Sequence, residues 1–382
     1  MDELFFTEEH VMLRDMVRDF AKNEVAPVAR ELDRLGKFPK DLIKQMGELG
    51  LMGIPIPEKY GGSGMDTVAY ATAVLELAKV DASVAITMAA HTSLGTVPIV
   101  LAGTDEQKEE YVPQLASGAI LGAFGLTEPG AGSDSGATQT TAVKNGDGFV
   151  VNGSKIFITN AGQADLLSFT SQIEINNELK GIAAFVIPTN TPGLEIGPKE
   201  KKMGWRASDT RQLFFNDMKI APGTMLGKIT DGLKIFLKTL ISGRISIGAL
   251  AVGTALGAYK KALQYATERE AFGKSIYKFQ SIGFKLADMA TEIEAAKLMV
   301  YHAAWLKDQG EDFTKQAAMA KLFASEVAMK STIEAIQVFG GYGYVKENDV
   351  ERFFRDAKIL EIGEGTSEIQ RIIIVREILK NF

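Results

Sequence analysis

Apolar residues recur with a helical period through residues 1–120, lose that period between Leu121 and Leu226, and regain it from Asp231 onward. In the first stretch Leu13, Met16, Val17 and Phe20 line one face of a helix that Thr7 is placed to cap. Leu42, Ile43, Met46 and Leu49 line another, which begins at Pro39 and is closed by Gly50. Thr104 and Gln107 make a capping box, each side chain satisfying the other's end of an open first turn. Pro55, Pro57 and Gly61-Gly62-Ser63-Gly64 mark a loop. In the middle stretch, Phe149–Val151 and Lys155–Ile158 flank Asn152-Gly153, a pair that predicts a type I′ hairpin. Further strands are expected at 166–170, 182–187 and 212–218, with no helices between them. That pattern predicts a small antiparallel sandwich or barrel. The last stretch predicts helices at 231–268, 280–308, 313–338 and 367–380, broken at Phe272-Gly273, Gly310 and Gly340-Gly341-Tyr342-Gly343. Short connections between such helices favour an antiparallel bundle.

The chain therefore reads as an α+β multidomain protein: an N-terminal α-helical domain over 1–120, a middle β-domain over 121–230 and a C-terminal helical bundle over 231–382. Composition narrows the picture without changing it. Hydrophobic residues at 46% and charged residues at 24% of 382 exclude a disordered or fibrous chain. A net charge of −6 with no basic cluster offers nucleic acid no footprint. The absence of cysteine rules out disulfides, a thiolate nucleophile, an iron–sulfur cluster and Cys-type zinc, and is compatible with a reducing compartment. Three scattered histidines show no metal-ligand spacing. The acidic N-terminus resembles neither a secretory nor a transit peptide. The most apolar run, Ile245–Tyr259, is shorter than the roughly 20 residues a bilayer span requires. A cytoplasmic protein without membrane contact is the expectation. Within that run Ala249, Gly253 and Gly257, four apart, would admit a second backbone closely.

Four segments could carry chemistry. In Leu126-Thr127-Glu128-Pro129-Gly130-Ala131-Gly132-Ser133-Asp134 the glycines suggest a dinucleotide fingerprint. The residues that follow, Thr138 to Val143, look strand-like instead of helical, which argues against a nicotinamide site. The segment is then either a domain connection or a place where backbone N–H groups approach a flat polar ligand. In Glu361-Ile362-Gly363-Glu364-Gly365-Thr366-Ser367-Glu368-Ile369-Gln370, Ser367 and Gln370 could form a capping box. Glu364 between two glycines is little shielded by side-chain bulk and could serve as a general base. Arg269 to Lys274, with Gln280 beyond, offers a helix C-cap or a guanidinium fork for a pyrophosphate. Gln337 to Tyr344, continuing to Arg352 and Asp356, reads alone as a glycine-rich helix break.

Taken in order, these segments resemble the two signatures of the acyl-CoA dehydrogenase family, flavoenzymes that desaturate acyl-CoA thioesters; one matches at 126–134 and the other at 337–356. The resemblance spans essentially the whole chain and is nearest to the short-chain, butyryl-CoA kind. It implies a helical domain, a β-domain and a four-helix bundle assembled as a homotetramer, a dimer of dimers. It implies FAD, with Phe124, Leu126, Thr127, Gly132 and Ser133 on one side of the ring and Phe157, Ile158 and Thr159 covering it. Arg269, Phe272, Gln280, Gln337, Gly340 and Gly341 would hold the ADP half across a dimer interface, with Thr366 and Glu368 as further contacts. Glu364 matches the catalytic base; the position some relatives use instead is Gly243 here. Ser133, Arg244 and Gly365 match substrate contacts. Gly363 replaces a tyrosine common before the base, and Ile241 an acidic residue frequent three before Arg244, so the acyl preference and CoA contacts are the least determined features.

The implied reaction is α,β-dehydrogenation to a trans-2-enoyl-CoA, with electrons passed to electron-transferring flavoprotein. The rivals within the fold are branched-chain, glutaryl or alicyclic dehydrogenases and oxygen-reactive oxidases. The rival outside enzymology is a non-catalytic flavin or acyl-CoA scaffold, against which retention of Glu364 argues.

Overall fold

The computed structural model describes residues 2–380. The first stretch folds into α1 (Asp2–Phe5), α2 (Glu8–Phe20), α3 (Ala26–Leu35), α4 (Lys40–Glu48), α5 (Thr67–Ala78), α6 (Ala82–Ala89), α7 (Val97–Ala102) and α8 (Asp105–Ala116). Thr7 caps α2, its N–H donating to His10 Nδ1 at 3.0 Å, and the Thr104–Gln107 box forms as the pattern requires. Every residue of α5 and α6 is buried, so these two helices are the middle of the molecule rather than a surface layer. A π-helical turn, Ala90–Thr96, joins α6 to α7.

The middle stretch forms one mixed sheet of β1 (Gly122–Gly125), β2 (Thr141–Asn145), β3 (Gly148–Thr159), β4 (Leu166–Ile175), β5 (Glu178–Pro188), β6 (Leu194–Lys199), β7 (Thr210–Ile220) and β8 (Met225–Leu226). Their order is β6-β7-β3-β2-β4-β5-β8, with β1 beside β4. The sheet is not wholly antiparallel. The chain leaves β1, loops through 126–140 and returns in β2, so both strands lie parallel to β4 on its one edge, at Leu166–Phe169 and Gln172–Glu174.

The Asn152-Gly153 hairpin does not form. β3 runs through it without a break, and the turn falls at Gly146-Asp147, where Asn145 faces Gly148. Asn152 spends its amide on Asp217 across the sheet, at 3.0 and 2.9 Å. Gly153 sits at a bulge with φ +142, packed so tightly on Thr140 that a Cβ would collide with it. Tertiary pairing with β7 thus overrides local turn preference.

The last stretch contains α9 (Gly232–Glu268), the short pair β9 (Glu270–Ala271) and β10 (Lys274–Ser275), α10 (Gln280–Asp308), α11 (Thr314–Phe339), α12 (Gly341–Tyr344), α13 (Val350–Ala357) and α14 (Ser367–Leu379). Helices α9, α10, α11 and α14 are the expected four-helix bundle. Gly253 and Gly257 do admit a second backbone: a Cβ at either would run into the Leu75 or Lys79 carbonyl at the end of α5. Both Ala82–Ala102 and α9 are long and apolar enough to cross a membrane, and both lie mostly inside the fold. The length argument drawn from Ile245–Tyr259 is therefore superseded, because the helix is 37 residues long and only its burial marks it as core.

The three stretches are tied by charged contacts. Arg352 of α13 reaches Asp81 before α6 at 2.8 Å, Arg355 reaches Asp33 of α3 at 2.8 Å, and Asp356 accepts the Trp205 N–H at 2.6 Å.

Candidate active site

The 126–140 loop is held against the sheet by an ion pair that sequence reasoning missed. Glu128 and Lys155 are both buried and meet at 2.7 Å. Glu128 also accepts the Gln139 and Thr140 N–H groups, while Lys155 donates to the Leu126 carbonyl and Thr170 Oγ1, both at 3.2 Å. Burial drives the Lys155 pKa down to about 8, and the lysine together with the two backbone donors holds Glu128 below its ordinary value despite burial. The one signal in the sequence was a lysine on the inward period of a strand.

This clamp leaves Gly132 and Ser133 on an exposed rim; a Cβ at Gly132 would meet nothing within 4 Å. The Thr127 carbonyl accepts the Ile156 N–H at 2.8 Å, which brings the rim beside Phe157-Ile158-Thr159 at the end of β3. Phe157 is 64% exposed with φ +60, an uncommon conformation for a phenylalanine, at a second β3–β7 bulge. A large ring held out over an open rim is what a wall for a flat ligand requires. Phe124 and Leu126 differ: their side chains are buried, Phe124 stacking on Phe236 of α9 at 4.0 Å. Only the backbone of β1, whose second edge carries no strand among the described residues, is left to offer a ligand.

Glu364 occupies a left-handed turn, φ +53, followed by Gly365 at φ +95, directly before α14. The cap of α14 is Thr366, which accepts the Ile369 N–H at 3.3 Å, and not Ser367, whose hydroxyl is buried without a partner. Gln370 instead turns back and donates to the Gly365 and Glu364 carbonyls at 2.9 and 3.4 Å. Lys321 of α11 also donates to the Gly365 carbonyl, at 2.8 Å. The Glu364 N–H has no acceptor among the described residues.

The residue is half-buried, yet its carboxylate Oε2 is sealed and unpartnered. Burial pushes its pKa up to about 7, against the pull of the Lys321 and Arg244 cations. Arg244, on α9, is itself buried with an unpartnered Nε, and burial lowers it to about 10. Gly243 packs on the carboxylate: a Cβ there would overlap Oε2 and come within 3.6 Å of Leu94. A side chain at position 243 and the Glu364 carboxylate therefore exclude one another in space. Tyr70 of α5 lies on the same side, its hydroxyl donating to the Ala89 carbonyl at 3.0 Å and its pKa raised by burial. Tyr70, Leu94, Gly243, Lys321 and Gln370 come from five separate segments, which only folding assembles.

A role for Glu364 as a base would require it ionised, so the rate of proton removal should then rise with pH through a midpoint near 7 in the free protein. A flat profile between pH 6 and 8 in stopped-flow measurements would contradict the burial argument. Gly243→Ala should displace the carboxylate and lower that rate by about 10²-fold with the fold intact.

The remaining predicted residues gather elsewhere. Arg269 and Gly340-Gly341 line a surface cavity of about 470 Å³ with Tyr265, Phe339 and Tyr342. Arg269 lies over the Tyr342 ring at 5.9 Å, and no carboxylate among the described residues pairs with it. Gly340 adopts φ +60, ψ −135, a region open essentially to glycine, and neither glycine has space-filling neighbours. Gln337 precedes them on α11, and Gln280 opens α10. Phe272 stands 95% exposed at the tip of the β9–β10 turn. Glu368 is exposed in the first turn of α14. No hydrogen bond or ring contact joins this set to the 126–133 rim within the described chain.

A helical frame encloses the sealed Glu364 carboxylate, and the loop on the mixed sheet exposes a glycine-lined rim. Models of the acyl-CoA dehydrogenase N-terminal, middle and C-terminal domains match residues 7–119, 123–218 and 230–379, and the chain belongs to that family of oxidoreductases. A probable acyl-CoA dehydrogenase from Bacillus subtilis is 54% identical over 98% of this chain and 99% of its own. The structure of butyryl-CoA dehydrogenase from Megasphaera elsdenii superposes with a TM-score of 0.95 at 46% identity, covering 98% of both chains. A chain from the structure described as the electron transferring flavoprotein of Acidaminococcus fermentans, on flavin-based electron bifurcation, gives a TM-score of 0.95 at 47% identity, again over 98% of both.

Proposed function

We propose that this chain is a FAD-dependent acyl-CoA dehydrogenase that converts short- or medium-chain acyl-CoA thioesters to trans-2-enoyl-CoA and passes the electrons to electron-transferring flavoprotein. The observation that carries the reading is Glu364: a sealed, unpartnered carboxylate with its pKa raised toward neutrality, in a family of flavoproteins. The rim of Gly132 and Ser133, the projecting Phe157 and the open Gly340-Gly341 turn fit a long flat cofactor, since all offer backbone or aromatic surface without bulk. FAD, when bound, would accept the β-hydride.

The chain's own residues do the rest. Glu364 takes the α-proton. Its unclaimed N–H is placed to hold the thioester oxygen as negative charge develops there, a kind of contact worth about 3–4 kcal/mol. Arg244, whose charge acts on Glu364, and the Gly365 backbone next to it are assigned to the substrate, with Ser133 at the rim. Leu94 supplies an apolar wall, and Gly363, with only Ile359 near its missing side chain, leaves that wall open. Phe124, Leu126, Thr127, Ile158 and Thr159 complete the ring site; Arg269, Phe272, Gln280, Gln337, Gly340, Gly341, Thr366 and Glu368 serve the distal half. Phe272 on its exposed turn, and Ile372, Val375 and Leu379 on the outer face of α14, suit subunit contacts of a homotetramer. Domains divide at about residues 120 and 230, and the compartment is the cytoplasm.

Anaerobic titration with butyryl-, isobutyryl-, octanoyl- and glutaryl-CoA tests the reading. Flavin bleaching strongest with butyryl-CoA supports it; an apoprotein that takes up no FAD refutes it. Oxygen uptake without an added acceptor would instead favour an oxidase.

A further inference from the structure

Lys321 has no role in the reading above, and its placement asks for one. It lies on the inward stripe of α11 among Ala317, Ala320, Ala324 and Ala328 and is fully buried, an environment in which an ammonium is costly unless it is used. Among the described residues its side chain donates not to a carboxylate but to the Gly365 carbonyl at 2.8 Å, the peptide immediately after the base. That carbonyl also receives Gln370, so two donors from different helices fix a turn in which Glu364 is held at φ +53. A non-glycine residue in the left-handed region persists only where its surroundings hold it there.

We propose that Lys321 is a positioning residue for the base: its ammonium clamps the Glu364–Gly365 turn through the Gly365 carbonyl and favours the charged form of the Glu364 carboxylate. The inference rests on the assignment of Glu364 as base. Three groups face Glu364: Arg244 from α9, Lys321 from α11 and the neutral Tyr70 from α5. Lys321 is the larger of the two cationic influences. Around the lysine itself stand Glu361 and Glu368, and Arg376 of α14 faces Arg244. Burial lowers Lys321 to about 8, so it remains largely charged where the enzyme works. With Lys321 gone, only Arg244 would oppose desolvation, and the carboxylate would hold its proton to higher pH.

The test compares wild type, Lys321→Met, Lys321→Gln and Lys321→Arg as FAD-loaded proteins. It follows anaerobic flavin bleaching by butyryl-CoA from about pH 5.5 to 9, with flavin content and thermal melting recorded in parallel. Lys321→Met should keep FAD and move the midpoint of the rate–pH profile up by about one unit, leaving the rate about tenfold low at pH 6 and near wild type at pH 9. Lys321→Arg should restore the midpoint. A uniform loss across pH, or an unmoved midpoint, overturns the proposal, because a merely structural lysine would behave so. Loss of flavin from both the Met and Gln variants overturns it as well, since the lysine would then hold the fold and not the base. Absence of bleaching in wild type would be a failure of the functional reading itself.

Discussion

Glu364→Gln should fold, stay yellow and lose acyl-CoA-dependent flavin bleaching by about 10²–10⁴-fold, the usual contribution of a general base. Glutamine matches the glutamate in shape, so the substitution creates no cavity, and it removes a carboxylate that burial already disfavours. No neighbour can take over. Gly243 has no side chain, and Tyr70 has its hydroxyl committed to the Ala89 carbonyl and its pKa raised. Arg244 and Lys321 are buried and carry their positive charges near neutral pH. Flavin content and melting temperature near those of wild type would show that the loss is chemical. A glutamine variant within tenfold of wild type would remove Glu364 from the mechanism.

Lys155→Met should be the most damaging change away from the base. It leaves Glu128 buried with two backbone donors but no cation, and breaking a buried pair on one side costs about 3–5 kcal/mol. The damage falls on the loop that carries Thr127, Gly132 and Ser133, so FAD should be lost at concentrations that saturate wild type, together with a lowered melting temperature. Adding Glu128→Gln to Lys155→Met should recover much of both, because the unpaired charge is gone; a double variant as poor as the single would mean that the lysine acts through something other than Glu128.

The proposed base and flavin rim stand out in the sequence because each lies on one short segment. Glu364 between two glycines and the Gly130–Gly132 run are local patterns; the structure leaves Gly132 open but seals the Glu364 carboxylate, with Gln370 standing where a Gly365 Cβ would be. The long helices were equally legible: the expected 231–268 and 280–308 match α9 and α10 to within a residue, since periodicity over many turns averages out local noise. The middle stretch was less so. Asn152-Gly153 carries a strong turn preference, yet lies within β3 because Asn152 and Gly153 are claimed by Asp217 and Thr140, partners distant in sequence. The parallel pairing of β1 and β2 with β4 was likewise invisible, since strand neighbours are not written into strand patterns.

What the amino-acid order alone determined is the succession of helical and strand stretches and the glycine-flanked setting of the carboxylate proposed to act, because period, capping and glycine placement are properties of neighbouring residues. What only the tertiary structure decided is how that carboxylate is tuned. Its burial, the cations of α9 and α11 that oppose it, and the space that Gly243 leaves for it are set by helices far apart in the chain, and charge and desolvation depend on distance through space rather than along the sequence.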